Sequence, residues 1–477
     1  MTHNGYIDFK NDKTIINDID FYTQKQSLKI DGYYPKTSAD TLYISFHDFN
    51  ISNVDVITTP KGLNFDGVIN GDLQMSGISD KFTFFSNLDI LNIGINNHIV
   101  GDAVIDANWN APDTSIYIDT HINRKNNNEK LLALNGNYYT SRNDNNIDFD
   151  VLLRDIDVSI IKPFTKKILS DVKGKINSDL KISGSFKKIV MDGNASLYDA
   201  ACKINYLNTY YNINPSNLLT NKDKYTIKLS KNLIEFNDIL LVDTLNNQAI
   251  AKGIITHNHL KDFVFDVDLA MSDFLAMNML PAETSTFYGT AVVNGDLKIE
   301  GPLDDISIDI NAESMPGTSI DILLTNTNSL NDNFIVFIQK ENKEDTVKTI
   351  VPEYEKNNKF TLNLNADITQ NADVNIFLPS NMGVINANGN GNIRLGYALN
   401  QLSLYGDFII NDGNFNFNFQ NLVRRNFNIR NGGSIRWTGN AADADINITG
   451  SYRTKSSISS FPYPLAHKNS SKSKDCI

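Results

Sequence analysis

Cysteine is nearly absent from this sequence, and long apolar runs are absent altogether. Cys202 and Cys476 are the only cysteines among 477 residues, so no disulfide framework holds the fold and cysteine usage does not indicate a redox compartment. No stretch approaches the roughly 18 apolar residues of a membrane span, and the opening residues MTHNGYIDFK lack the apolar core of a signal peptide. Taken alone, these absences predict a soluble chain.

Basic charge is also scarce. The 43 Lys and Arg residues face 55 Asp and Glu residues, which gives a formal net charge of -12. Nucleic-acid binders carry basic stripes that attract phosphates, so we exclude nucleic acid as a partner. The sequence also lacks a nucleophile elbow, a phosphate loop and an HExxH motif. We therefore expect no enzyme, no catalytic residues and no cofactor.

Two kinds of side-chain pair are candidate cation sites. His257 and His259 would share a face of a strand, as metal ligands do, but the segment ITHNHLKD is typical of a solvated turn, which is the interpretation we prefer. Pairs of the form Asp-x-Asp suit calcium or a glycosidic bond, but each lies opposite an apolar face, where charge keeps a sheet soluble. We expect no metal site at these pairs, which are Asp18/Asp20, Asp148/Asp150, Asp155/Asp157, Asp266/Asp268 and Asp443/Asp445.

What the chain does have is a strand cassette that recurs four times. The copies are GDLQMSG at Gly71–Gly77, SDLKISG at Ser178–Gly184, GDLKIEG at Gly295–Gly301 and GNIRLG at Gly391–Gly396. They lie about one hundred positions apart, which is too long for a propeller blade or a leucine-rich turn. Phe-Asp-Val precedes the second and third copies, at Phe149 and Phe265. A multi-strand unit has been duplicated, and we expect one continuous repeat array because no linker-like segment interrupts the chain before its last two dozen residues.

Strict alternation surrounds the cassettes. Ile306, Ile308 and Ile310, for example, alternate with polar residues, which predicts strands with one apolar and one wet face. Parallel sheets buried on both faces would show continuous Val/Ile runs joined by helices, and such runs are absent. Hairpin turns are predicted at the following steps: Asn70-Gly71, Asn135-Gly136, Asp192-Gly193, Asp412-Gly413 and Asn431 to Gly433.

Helical signals are few. Asp157 is a candidate N-cap for a helix whose length Pro163 limits. Ser272 or Asp273 is a candidate N-cap for a second helix over Phe274–Leu280. Such helices would plug an end of each apolar unit or, alternatively, face a membrane. After Tyr452 the chain becomes Ser- and Lys-rich, which predicts disorder.

The apolar face must bury against something. Three partners are compatible with alternation alone: a second sheet of the same chain, the far wall of a solenoid, or a ligand with an apolar body. The pattern does not choose among them.

The last hundred residues resemble a known family. The runs GDFIINDGNFNFNF (Gly406–Phe419) and GGSIRWTGNAADADINITGSY (Gly432–Tyr452) are similar to the C-terminal region of TamB-like translocation and assembly module proteins. The matching positions are Gly413, Phe415, Phe427, Gly433, Ile435, Trp437, Gly439, Ala444, Ile446, Ile448 and Tyr452. The upstream cassettes resemble strands of the wider AsmA-like group. The membrane anchor and final segment typical of the family are missing, so we expect a piece of a longer protein.

The resemblance implies a fold and its division. The fold is all-β, an elongated, curved, taco-like groove of repeated one-sided strands with a few short helices. We predict an N-terminal β segment over 1–66, repeated groove units over 67–285, a TamB-like groove region over 286–452 and a disordered tail over 453–477. The predicted groove lining is Phe263, Phe265, Val267, Leu269, Leu297, Ile299, Ile306, Ile308, Ile310, Leu362, Leu364, Phe415, Phe417, Phe419, Ile446 and Ile448.

The resemblance also implies a function. Such proteins lie in the periplasm of Gram-negative bacteria, anchored in the inner membrane, and are implicated in phospholipid transport and in assembly of outer-membrane and secreted proteins. The implied partners are phospholipid acyl chains or an unfolded outer-membrane polypeptide, together with an outer-membrane BamA-like barrel. The alternative is a sealed β-solenoid that serves as a surface adhesin or stalk. A polysaccharide enzyme would need convergent carboxylates on one outer face, which the spacing does not show.

Overall fold

The computed structural model describes most of the chain. Its described residues are 5–10, 13–55, 59, 64–79, 81–96, 98–124, 129–165, 169–218, 226–281, 287–324, 359–398, 401–419, 422–440, 443–456 and 472–476. About three quarters of them lie in strands, nearly all of which belong to one large sheet, and this confirms the all-β fold class. The period-two alternation explains this outcome, because successive side chains of a strand point to opposite faces.

The strands are numbered in chain order. The first twelve are β1 (Tyr6–Phe9), β2 (Thr14–Tyr22), β3 (Ser27–Tyr33), β4 (Thr41–Asn50), β5 (Phe65–Ser76), β6 (Thr83–Ile95), β7 (His98–Asn110), β8 (Ser115–Asn123), β9 (Lys130–Tyr139), β10 (Ile147–Asp157), β11 (Leu169–Ser185) and β12 (Lys188–Ile204). The next eight are β13 (Thr209–Ile213), β14 (Thr226–Ser230), β15 (Leu233–Val242), β16 (Gln248–Asn258), β17 (Lys261–Met279), β18 (Phe287–Pro302), β19 (Asp305–Ser314) and β20 (Ser319–Leu323). The last nine are β21 (Lys359–Ile368), β22 (Asp373–Phe377), β23 (Gly383–Ala398), β24 (Gln401–Phe419), β25 (Val423–Ile429), β26 (Gly433–Gly439), β27 (Asp445–Asn447), β28 (Gly450–Ser456) and β29 (Lys472–Cys476).

The four cassettes lie in the strands β5, β11, β18 and β23, except that Gly77 follows the end of β5. The two Phe-Asp-Val segments lie in the neighbouring strands and pair with cassettes, since Val151 faces Leu180 and Val267 faces Ile299. Each hairpin therefore pairs a Phe-Asp-Val segment with a cassette. The register of this pairing differs by two residues between the two hairpins. The shared pairing supports the duplication inferred from the sequence.

Short helices follow two of the strands. Ile51–Val54 is a 3₁₀ helix after β4, and Val158–Ile161 is a 3₁₀ helix after β10 that leads into the α-helical turn Lys162–Thr165. The Asp157 side chain accepts a hydrogen bond from the Ser159 N–H at 2.8 Å, so the predicted cap is confirmed. A further 3₁₀ helix lies at Pro379–Asn381.

The helix predicted over Phe274–Leu280 is wrong. Residues up to Met279 continue β17, and Phe274 is a buried strand residue. The register of β17 against β18 shifts between Met271 and Phe274 and again between Leu275 and Met277. These irregularities place neighbouring apolar residues on the buried side, which imitates a helical pattern in the sequence.

Four of the five predicted turns are also wrong. The steps Asn70-Gly71, Asn135-Gly136, Asp192-Gly193 and Asp412-Gly413 lie inside β5, β9, β12 and β24, and only Asn431 to Gly433 joins two strands. Gly71 shows why the signal misleads. Its φ is 120°, and a Cβ there would lie 2.0 Å from the Asn87 carbonyl oxygen. Glycine is required by a bend within the strand, and the same backbone freedom suits a turn.

Most strand pairings among the described residues are antiparallel. Each strand from β1 to β10 pairs with the next one along the chain. Two pairings depart from the expected hairpins, because β19 with β21 and β20 with β22 are parallel. Parallel strands need a crossover of about a dozen residues or more. Residues 325–358, which lie outside the described part, separate β20 from β21 in sequence.

The chain divides into two compact units. The first comprises Met1–Cys202, Asn212–Ile239 and Ile254–Phe263, and the second comprises the remaining residues. The first unit has an apolar core of Ile69, Leu88, Ile90, Ala103 and Ile122. The second has one around Tyr211, Ala249, Met271, Phe274 and Val293 and another built from β22 to β26. The domain ranges inferred from the sequence stay predictions.

The tail differs from the predicted disorder where it is described. Residues 453–456 belong to β28, which pairs antiparallel with β29. Pairing of backbone groups does not require apolar side chains, so a Ser- and Lys-rich segment can still form a strand. The other residues of the predicted tail lie outside the described ones.

Candidate binding face

Two rows of apolar side chains cross six strands of the second unit. Lane 1 consists of residues that face one another in register: Leu269, Leu297, Ile310, Leu364, Leu395 and Leu404. Lane 2 lies beside it: Val267, Ile299, Ile308, Leu362, Tyr397 and Leu402. Residues in register on adjacent strands point to the same side of a sheet. The two lanes therefore form one surface, which we call the apolar face.

The face is long compared with an acyl chain. Adjacent strands lie about 4.8 Å apart, so a lane over six strands measures about 24 Å. One leaflet of a bilayer contributes about 15 Å of hydrocarbon, half of the roughly 30 Å core. A lane therefore has room for one acyl chain laid across the strands.

The apolar face is incompletely covered. The lane residues are half-buried, except for the buried Leu404. By contrast, Phe274 is only 1% exposed; it lies on β17 beyond the shift in register that follows Met271. Apolar surface that stays in contact with water costs roughly 25 cal/mol per Å² compared with burial. Covering the lanes with an apolar ligand would therefore be favourable.

The opposite side of these strands carries polar ladders. The Asn365 amide donates to Asn311 at 2.9 Å, and the Asn311 amide donates to Asp296 at 3.0 Å. A second ladder runs from Asn416 through Asn386 and Asn375 to Asp321, with donor–acceptor distances of 2.9, 2.7 and 2.6 Å. These bonds link strands on the wet side, so the wet side does not need an apolar cover.

Charged residues also lie on the wet side. The Lys298 ammonium lies 2.7 Å from Glu300, and this hydrogen-bonded carboxylate raises the pKa of Lys298. Both side chains are exposed, so the pair adds little stability. The arrangement keeps charge away from lanes 1 and 2.

The C-terminal end of the apolar side is sealed by protein. Ile376, Ile385, Ile410 and Ile435 have no exposed surface, and Trp437 is buried among them. Ala444, Ile446 and Ile448 pack against this cluster. The interior of the cluster is filled by its own side chains. Leu404 of lane 1 belongs to the cluster and Leu395 packs against it, so lane 1 reaches the edge of the cluster at β23 and β24.

The predicted lining residues fall into three groups. Val267, Leu269, Leu297, Ile299, Ile308, Ile310, Leu362 and Leu364 lie in the two lanes. Phe265 and Ile306 lie beside the lanes, in register with Gly301 and Phe360. The others lie elsewhere. Phe415, Ile446 and Ile448 pack on the sealed cluster, and the Phe417 ring packs against Phe415. Phe263 packs against His257, and the Phe419 side chain lies outside the described part. That any of them binds a ligand stays a prediction.

Sequence reasoning missed four lane residues. Leu395, Tyr397, Leu402 and Leu404 complete the lanes in β23 and β24. The alternation in GNIRLGYA and QLSLYG was the signal for them. It predicted strands, but register across strands is not local information, and register decides which residues continue a lane.

Two clefts lie away from the lanes. One of about 450 Å³ is lined by Asn50, Asp66, Gly67, Val68, Leu91, Asn92 and Ile99. Another of about 350 Å³ is lined by Asp144, Asn145, Ser183, Ser185, Lys188, Val190, Lys231 and His259. Both are shallow and wide open, and neither contains a lane residue. An open sheet face is not a concave pocket, so cleft volume is a poor guide to it.

The predicted turn lies at His259 and Leu260, between β16 and β17, but His257 precedes it as a buried residue of β16 and is not solvated. His257 is 7% exposed, its Nδ1 accepts a hydrogen bond from the Leu260 N–H at 3.2 Å, and its ring packs edge-on against Phe263. The Nδ1 of His259 points instead to the Ile189 carbonyl at 3.2 Å. Within the described ranges no group of three or more His, Cys, Asp or Glu side chains is placed to hold a metal ion.

Several Asp-x-Asp members have structural roles. Asp18 and Asp155 have φ values of 48° and 53° at strand bulges. Asp148 and Asp266 lie 3.0 and 3.8 Å from lysines of the adjacent strands. Aspartate is one of the few residues that tolerate the left-handed region, so the bulges account for some carboxylates that the sequence suggested were solubilising.

Comparison with known families and structures gives one match. Residues 238–474, about half of the chain, match the family model of the TamB C-terminal domain. No curated protein and no solved structure matches the chain. The matched residues include both lanes and the sealed cluster. Among the helices in the described part, none has the length and apolar character needed to cross a membrane.

Proposed function

Since the chain is a TamB-like protein, we propose that its apolar face holds the acyl chains of phospholipids in transit between the inner and outer membranes. The family is one of non-enzymatic translocation and assembly modules of the Gram-negative envelope. In our proposal the full-length protein lies in the periplasm, anchored in the inner membrane, and works with an outer-membrane BamA-like barrel. No step of this function requires catalysis.

The register of the two lanes carries the proposal. Twelve side chains on six strands align as one apolar surface, and all of them except the buried Leu404 are half-buried. Such a surface excludes water from an acyl chain, while the head group stays in water beyond the strand ends. The sealed cluster, which includes Phe408 and Ile410 of β24, interrupts the apolar side beyond the lanes. This distinguishes the proposal from a face that is open along its whole length.

The test places a photo-crosslinking phenylalanine derivative at Leu364, in lane 1. Thr361 provides the matched control, because it lies on the opposite face of the same strand. Each variant is expressed in a host with phospholipid membranes, irradiated and examined by intact-protein mass spectrometry. We expect a phospholipid adduct at position 364 and little at position 361.

Two results would speak against the proposal. Equal lipid adducts at both positions would show non-specific contact with membrane. Peptide adducts at position 364 in place of lipid would favour an unfolded outer-membrane polypeptide as the cargo.

A further inference from the structure

One arginine lies on the apolar side of the sheet. Arg425 of β25 faces Phe417 of β24 in register, and Phe427 of the same strand faces Phe415. Ile429, two residues further along, belongs to the sealed cluster. Arg425, Phe427 and Ile429 therefore point to one side of the strand.

Burial falls steadily toward this arginine. Ile429 is buried, Phe427 is half-buried and Arg425 is exposed. The two ends of this series are about 13 Å apart, since a strand rises about 3.4 Å per residue. The surface of β25 thus changes from apolar at Ile429 to cationic at Arg425. This distance is similar to the length of the glycerol and upper acyl region of a lipid.

Aromatic rings connect the arginine with the sealed cluster. The Phe415 ring lies 5.8 Å from Phe417 and 6.3 Å from Phe427, and Phe427 lies 5.8 Å from Tyr452. The guanidinium of Arg425 lies 5.6 Å from the centre of the Tyr452 ring. A cation at this distance from a ring face is stabilised by the ring quadrupole, so the tyrosine holds the guanidinium at the edge of the aromatic surface.

The hydrogen-bonding capacity of Arg425 is only partly used. Nη1 donates to the Arg424 carbonyl at 2.9 Å, and a guanidinium has five N–H donors. Elsewhere arginines meet carboxylates, as Arg436 does with Asp407 at 2.5 Å and Arg154 with Asp179 at 2.7 Å. No ion pair of this kind joins Arg425 to a carboxylate among residues that the structure describes.

We propose that Arg425 binds the phosphate of a glycerophospholipid whose acyl chains lie against Phe417, Phe415 and Phe427. This inference rests on the proposed function and places a head-group contact at the end of β24 and the start of β25, beyond the sealed cluster and apart from the lanes. A guanidinium matches two phosphate oxygens with two parallel N–H donors. The charge complements the phosphate, and the adjacent rings complement the hydrocarbon.

The test compares two lipids that differ in the phosphate. Phosphatidylglycerol and diacylglycerol with the same acyl chains are presented to the full chain in neutral detergent micelles, and binding is measured by fluorescence titration. The variant Arg425→Gln removes the charge. The variant Arg424→Gln is the matched control, because Arg424 is also exposed but points to the opposite side of β25.

We expect Arg425→Gln to weaken phosphatidylglycerol binding by about tenfold or more, as for a lost charge-assisted hydrogen bond. Diacylglycerol binding should not change, and Arg424→Gln should match the parent chain with both lipids. Arg425→Lys keeps the charge but loses the two parallel N–H donors of the guanidinium, so we expect an intermediate loss of phosphatidylglycerol affinity.

Circular dichroism of each variant checks the fold. If Arg425→Gln fails to fold, the comparison is made with Arg425→Lys.

Distinct results separate the two ideas. Equal effects of Arg424→Gln and Arg425→Gln on phosphatidylglycerol, or equal losses for both lipids, would overturn the role of Arg425 and leave the lanes untouched. Displacement of phosphatidylglycerol by a glutamate-rich peptide would also overturn it. If the parent chain binds neither lipid, the proposed function itself fails.

Discussion

The side-chain oxygen of Asn177 accepts a 2.7 Å hydrogen bond from the backbone N–H of Asp155, which has a φ of 53° inside β10. The register at this point places three steps of β10 opposite two steps of β11. Such an arrangement is a β-bulge, which bends the strand and increases its twist. The bulge leaves one N–H without a ladder partner, and the asparagine side chain from the next strand supplies the acceptor.

The same bond recurs at other bulges of the sheet. The pairs, with the bulged residue first, are Asp18 and Asp31, Asp48 and Asn70, Asn92 and Asp102, and Asp273 and Asn294. Asn70, Asn177 and Asn294 each come directly before a cassette. At the fourth cassette Asn390 accepts from the Gln370 N–H at 3.1 Å. The true repeat therefore begins one residue before the cassette, at an asparagine.

Replacement of Asn294 tests this bond. Asn294→Ala removes the acceptor of the Asp273 N–H, a 2.6 Å bond, and leaves that donor without its partner. Because this bond is exposed, water can replace the lost acceptor. We therefore expect a loss of roughly 0.5–1.5 kcal/mol in the free energy of unfolding, measured by urea denaturation.

The matched control is Asn294→Asp, because Asp31 and Asp102 serve as acceptors at other bulges. This variant should retain most of the stability. If Asn294→Ala and Asn294→Asp were equally stable, the bond would not hold the bulge.

The sequence was sufficient for what is local in this fold. The cassettes and the one-sided strands were predictable because alternation depends only on neighbouring residues. The Asp157 cap was predictable for the same reason. The asparagine before each cassette was visible in the sequence too, but its partner lies on another strand, so its role was not.

Bulges explain several of the errors. Asn70-Gly71 has the residues of a hairpin turn but sits opposite the bulge at Asp48, since turns and bulges need the same left-handed backbone. Asp273 resembled a helix cap and instead holds a bulge. The lanes depend on register, and Leu364 joins Ile310 through a parallel pairing that no hairpin pattern indicates.

A buried carboxylate joins two hairpins of the second unit. Asp243 is 1% exposed, and its side chain accepts backbone N–H bonds from Leu245 at 2.8 Å, Asn247 at 2.9 Å and Leu275 at 2.7 Å. Asp243→Ala removes the acceptor of three donors, of which the Leu275 N–H is buried, so we expect a loss of roughly 3–5 kcal/mol in the free energy of unfolding. Urea denaturation measures this loss.

Asp243→Asn separates the three bonds. Its remaining oxygen can still accept from Leu245 and Asn247, which share Oδ1, but its amide cannot accept from Leu275. An intermediate stability is expected. The assignment of the bonds would be wrong if the asparagine variant were as unstable as the alanine variant.

His257 makes the first unit sensitive to acid. Burial, and to a lesser extent the charge of His259, lowers the pKa of His257. Its Nδ1 accepts from the Leu260 N–H, so protonation would break that bond. The unfolded state takes up the proton near pH 6.5, whereas the folded state resists it. Stability is therefore present above pH 6.5 and falls below it, by at most about 1.4 kcal/mol per pH unit.

The variant His257→Asn tests whether His257 causes the acid sensitivity. An asparagine side-chain oxygen can accept the hydrogen bond from the Leu260 N–H, and asparagine does not titrate. The parent chain should lose stability between pH 6.5 and 5, as measured by urea denaturation at each pH, and the variant should lose less. Parallel pH profiles would assign the acid sensitivity to other groups.

Tyr198 gives the opposite dependence at high pH. Its hydroxyl donates to the Asp155 carboxylate, and burial together with this carboxylate raises the pKa of Tyr198 to about 12. The unfolded tyrosine titrates near pH 10, so the stability contributed by the protonated hydroxyl is complete below pH 10 and is lost as the pH rises toward 12.

Ultraviolet difference titration of the parent chain against Tyr198→Phe should show one tyrosine that ionises about two pH units above an ordinary tyrosine. A difference spectrum that appears near pH 10 would mean that this hydroxyl is not held by Asp155, and the bulge at Asp155 would then lack its side-chain partner on that strand.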